Sequence, residues 1–73
     1  MITDKEVARQ VSELMLEFGA KLNASVALTK ERCPESEFKA YRAVVSTLMG
    51  EMLLEVMNPI YATHPELKPK ELL

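Results

Sequence analysis

The sequence predicts an all-α protein. The expected architecture is an antiparallel two-helix hairpin that dimerises into a four-helix bundle and carries a proline-broken C-terminal tail. Three observations predict it. Apolar residues recur at helical spacing in two long stretches. A Cys33-Pro34 break separates those stretches. The second stretch is apolar over a wider arc than one neighbouring helix can cover.

Helix 1 is expected over about 4–32. Thr3 and Glu6 have capping-box spacing, in which the Thr hydroxyl accepts from the Glu6 amide and the Glu6 carboxylate reaches back. Ile2 and Val7 occupy the flanking staple positions, and Asp4 adds negative charge where the helix dipole favours it. At about 100° per residue, Val7, Ala8, Val11, Leu14, Met15, Phe18, Leu22, Val26 and Cys33 form one apolar stripe roughly 120° wide. Ser25 and Thr29 fall inside it. Lys5, Arg9, Glu13, Glu17, Lys30 and Glu31 lie opposite.

Pro34 disfavours helical backbone at Cys33 and itself suits the first position of a new helix. Glu35 and Glu37 then supply an acidic first turn. A tight turn at Cys33-Pro34 would make the two helices antiparallel neighbours. Helix 2 is expected over about 34–58. Its apolar residues, Phe38, Tyr41, Val44, Val45, Leu48, Met49, Met52, Leu53 and Val56, fill an arc of roughly 180°. The excess over helix 1 assigns Val44, Val45, Leu48, Met49, Met52, Leu53 and Val56 to a dimer interface. Asn58-Pro59 should end or kink this helix, so residues 1–58 form the hairpin and 59–73 the tail. The tail carries Ile60, Tyr61, Leu67, Leu72 and Leu73 and is expected to pack on the bundle.

Composition narrows the classes of function. A chain of 73 residues holds one domain, and domains this small usually need a disulfide, a metal or a partner subunit. A single cysteine allows no internal disulfide and suits a reducing compartment. Oligomerisation is the remaining staple. A net charge of −2, with basic residues spread along the chain, argues against a nucleic-acid surface. No apolar run approaches the ~20 residues of a membrane span, and the N-terminal residues do not resemble a signal peptide, so a cytoplasmic protein without membrane contact is expected.

Candidate chemistry is sparse. Glu13 with Glu17, and Glu51 with Glu55, are like-charged i,i+4 pairs that fall at similar levels of a hairpin. Di-metal bundles add Glu-x-x-His pairs projecting inward, which are absent here, so a solvated acidic face or pairing with Arg and Lys is the better reading. His64 stands alone between prolines apart from Glu66, and reads as an exposed turn residue. Cys33 lies on the apolar stripe and reads as a small packed residue at the helix junction. Ser25, Thr29, Ser46 and Thr47 either line a polar pocket or bond back to carbonyls one turn earlier, and the second is favoured. Met49, Met52 and Met57 read as core and interface filler. Gly19 and Gly50 would fall within about one turn of each other, as close helix approach would explain.

No nucleophile–base set, phosphate loop, metal cluster or cofactor motif is present. The function expected is a non-enzymatic homodimeric module that binds itself and another protein, without cofactor. The alternative is a small-molecule-binding or enzymatic bundle with its site at the dimer interface, signalled by a cavity ringed by Ser25, Thr29 and Tyr41.

Overall fold

The structure is a computed structural model and describes residues 1–70. It is all-helical, with no strand among the described residues. Two long helices dominate. Helix α1 spans Lys5–Arg32 and α2 spans Glu35–Glu51. A π-helical segment, Met52–Met57, leads directly into α3, Asn58–Thr63, and a 3₁₀ turn follows at Pro65–Leu67.

The break between the long helices lies at Cys33-Pro34. Cys33 leaves the helical region at φ −120° and ψ 160°, as a residue before proline must. Its amide still donates to the Thr29 carbonyl at 2.9 Å. Pro34 caps α2, and the amides of Glu37 and Phe38 donate to its carbonyl at 3.0 and 3.1 Å. Cys33 itself is exposed rather than packed, because the stripe it would continue ends with α1.

The start of α1 differs from the expectation by one residue. Asp4, not Thr3, is the cap, and its Oδ1 accepts from the Val7 amide at 3.0 Å. Glu6 does not reach back, because Arg9 and Gln10 hold its carboxylate. Ile2 packs against the hydrophobic core while Val7 is half-exposed, so no staple forms between them. Asp4→Ala is therefore expected to cost about 1 kcal/mol, and Thr3→Ala only a few tenths. Urea midpoints at fixed protein concentration check this, and equal shifts for the two variants would refute the Asp4 cap.

Pro59 does not end the helix. A proline inside an α-helix removes an amide and presses on the carbonyl four residues back. Here the preceding turn is widened, and the Asn58 amide donates to Leu53, five residues back. The expected boundary at residue 58 thus becomes a π-bulge through which the helix runs on to Thr63. Ile60 and Tyr61, read as tail, enter the core. Leu72 and Leu73 lie outside the described residues.

The core sits at one end of the molecule. Ala8, Met57, Ile60 and Tyr61 are buried, with Val11, Met15, Leu53, Val56 and Leu67 packed around them. The packed side of α1 runs through Ala8, Ser12 and Gly19 rather than through the centre of its apolar stripe. Small residues there leave room for Ile60, Tyr61 and Met49. Val7, Leu14 and Phe18 are left half-exposed instead. Gly19 does not mark forced contact, since a Cβ there would stand 3.6 Å from the Met49 Cε, and a Cβ at Gly50 would meet nothing within 4 Å.

The molecule is long and thin, 44 × 19 × 16 Å. Its radius of gyration is 14.4 Å, against about 11 Å for a compact chain of this length.

Candidate functional site

The first residues of the chain meet residues 63–66 in a polar clasp. The buried His64 ring donates from Nε2 to the Ile2 carbonyl at 2.9 Å. Its Nδ1 lies 3.8 Å from Glu66 Oε1, and the same oxygen pairs with Lys5 Nζ at 3.2 Å. Glu66 is held below the ordinary carboxylate range, first by its own backbone amide and then by Lys5. The N-terminal amine reaches Thr63 Oγ1 at 3.4 Å. Ile2 adopts φ 57°, a left-handed backbone that a β-branched residue seldom tolerates. His64 is thus a structural strap rather than an exposed turn residue. The sequence pairs it with Glu66 but gives no sign of the Ile2 carbonyl, which lies 62 residues away.

Two hydroxyl pairs join the helices. Ser12 and Tyr61 share a buried hydrogen bond at 2.5 Å. Ser25 and Tyr41 share another at 2.7 Å. Ser25 also bonds back to the Leu22 carbonyl at 2.7 Å, Thr29 to Ser25 at 2.8 Å, and Thr47 to Ala43 at 3.2 Å. A recess lined by Phe18, Lys21, Leu22, Ser25 and Tyr41 exists, but its hydroxyls are already engaged. No buried side-chain polar atom among the described residues lacks a partner.

Glu6, Glu13, Glu17 and Glu35 pair with basic residues along their own helices, whereas Glu51 and Glu55 form no ion pair among the described residues. Arg9 bonds Glu6 and, at 2.7 Å, Glu13. This holds Glu6 down to about 2, chiefly through the Arg9 hydrogen bonds and then Gln10. Glu17 pairs with Lys21 at 3.0 Å and Glu35 with Lys39 at 3.3 Å. No cluster of three metal-ligating side chains occurs among the described residues. At the turn, Lys30 and Arg42 flank the Phe38 ring at 5.8 and 5.2 Å.

A groove of about 490 Å³ runs between α1 and the α2–π segment. Met15, Gly19, Met49, Met52, Leu53 and Met57 contribute to its lining, so four of the five methionines gather there. Leu16, Ala20, Asn23 and Gly50 complete it, and Asn23 is the one polar side chain in that lining. The seven residues expected at an interface are divided by the fold. Met49, Met52 and Leu53 line this groove. Val45 is buried within the chain and Val56 packs on its core. Val44 and Leu48 stand 57% and 45% exposed, away from the groove lining.

No protein family, curated protein or solved structure matches this chain. Against the expectation from apolar run length, the helical stretch Glu35–Thr63 is long and apolar enough to cross a membrane by length and composition alone, and 17% of its most apolar window is buried.

Proposed function

We propose that this chain is a non-enzymatic, homodimeric protein–protein interaction module. Two helical hairpins associate into a four-helix bundle and present the remaining apolar face to another protein. One observation supports the reading: the chain exposes more surface than a compact protein of its mass. Its accessible area is 5311 Å², against about 4,500 Å² for a compact 8.2 kDa protein. The excess is about 800 Å², on the order of the area one partner loses in a standard stable interface. Much of it is apolar, because Leu14, Phe18, Leu28, Val44, Leu48 and Leu54 are all 45% exposed or more.

The membrane alternative is weakened by Glu51 and Glu55, which sit within the Glu35–Thr63 stretch. A carboxylate near the bilayer centre costs about 2.5–3.5 kcal/mol even on insertion-derived scales. The enzymatic alternative is weakened by the mutual pairing of Ser25 and Tyr41. Cytoplasmic residence accords with a single exposed thiol.

Sedimentation of the full chain at micromolar concentration tests the reading. A dimer of about twice 8.2 kDa is expected. The melting midpoint should rise with protein concentration, because association stabilises only the folded state. A folded 8.2 kDa monomer with a concentration-independent midpoint would refute it.

A further inference from the structure

The geometry points to the methionine-lined groove as the seat of the second copy, with the groove faces stacked so that α1 crosses α1 and α2 crosses α2 antiparallel. This deepens the dimer reading and rests on it. Its basis is a pair of protrusions, each set one helical turn from a gap on the same face.

On the α2–π stretch, Leu54 is 64% exposed, the highest value for a large apolar side chain among the described residues. Four residues earlier, on the same face, Gly50 borders the groove with open space where a Cβ would be. On α1, Leu16 is 38% exposed, and four residues later the small Ala20 lines the same groove. A residue and its i+4 neighbour exchange places under a two-fold axis that passes between them at right angles to the helix. That operation lays Leu54 over Gly50 of the partner subunit, and Leu16 over Ala20 of the partner subunit.

The two helices must share one axis for this to work, and they do so closely. The α1 centre falls at residue 18 and the α2 centre at residue 52. Gly19 lies beside Met49, and Ser12 beside Tyr61, across the molecule. Interpolating between those contacts places residue 18 within about half a helical turn of residue 52 along the bundle, at 1.5 Å per residue.

Three further features favour a second copy over an unrelated ligand. The patch is self-complementary, which a two-fold interface requires. The area in excess of a compact chain, about 800 Å², is on the order of what a standard interface covers on each partner. The groove is nearly devoid of polar groups, whereas small-molecule pockets place a few polar groups to fix the ligand. Four methionines suit the groove to accommodate inserted leucine side chains, since their flexible thioethers fill irregular gaps.

Cross-linking and sedimentation together test this. In a Cys33→Ser background, Gly50→Cys and Leu54→Cys are prepared separately and oxidised alone and as a mixture. The mixed disulfide is expected to predominate over both symmetric ones. Gly50→Trp fills the groove without meeting the chain's own atoms at Cβ. It should raise the dimer dissociation constant at least tenfold, with the helical circular dichroism signal retained at high concentration. If the unaltered chain sediments as a monomer, the dimer reading fails and this pairing with it. If the chain is a dimer, but symmetric disulfides prevail or Gly50→Trp leaves dissociation unchanged, only the groove pairing is overturned.

Discussion

Ile60→Ala is expected to destabilise the folded chain by about 2–5 kcal/mol, the range for deleting a fully buried branched side chain and leaving a cavity. Ile60 is the largest side chain with no exposure at all. It packs with Ala8, Met57 and Tyr61, which are buried with it where α1 meets the π-helical segment and α3. Little else is buried, since Val45 is the only other buried hydrophobic residue among those described. A domain of this length has roughly 4–11 kcal/mol of total stability at the usual per-residue value. The loss should therefore remove a large share of it, and unfolding at physiological temperature is the expected outcome at low protein concentration. Leu28→Ala is the control, because Leu28 is half-exposed and its truncation should shift stability by no more than about 0.5 kcal/mol. Urea denaturation at one fixed concentration distinguishes the two. Shifts of equal size would mean that the core does not centre on Ile60.

The particular residues show what was legible in the sequence. The end of α1 and the start of α2 follow from local sterics at Pro34, and local sterics can be read from a dipeptide. The cap was displaced by one residue because Thr3 and Asp4 both satisfy the chemical requirement of an N-cap. The choice depends on where Ile2 is pulled, and Ile2 is held by His64, 62 residues away. Between the two outcomes that Asn58-Pro59 allows, an end or an irregular helix, the sequence cannot choose, for a related reason. The proline's penalty is real in an α-helix, but a π-bulge relieves it, and the packing of Ile60 and Tyr61 compensates for the irregular turn. The apolar stripe of α1 was drawn by hydrophobicity, which is blind to Ser12 and Gly19. Those two residues face inward because large partners need small neighbours, and volume complementarity is a property of pairs of residues. The groove was illegible for the same reason. Gly50 and Leu54 are visible in the sequence, but the gap beside one and the exposure of the other arise only once α1 lies alongside.

The Ser12–Tyr61 pair should behave asymmetrically when each partner is removed. The two hydroxyls meet in the core, 49 residues apart in sequence, and both residues are buried. Tyr61→Phe removes the phenol oxygen and leaves Ser12, whose hydroxyl can rotate to the carbonyl of Ala8 on its own helix. That variant should cost about 1 kcal/mol. Ser12→Ala leaves the Tyr61 hydroxyl instead. A phenol oxygen lies in the plane of its ring and cannot be redirected without moving a packed aromatic group. The stranded donor should bring the cost to about 1–3 kcal/mol, above that of Tyr61→Phe. The double variant Ser12→Ala, Tyr61→Phe leaves no unpaired group and should cost less than the two single variants added together. The coupling should be about 0.5–3 kcal/mol, as for residues in direct contact. Four urea titrations at the same protein concentration complete the cycle. Strict additivity would show that the hydroxyls do not bond in solution, and that Tyr61 is held by its ring alone.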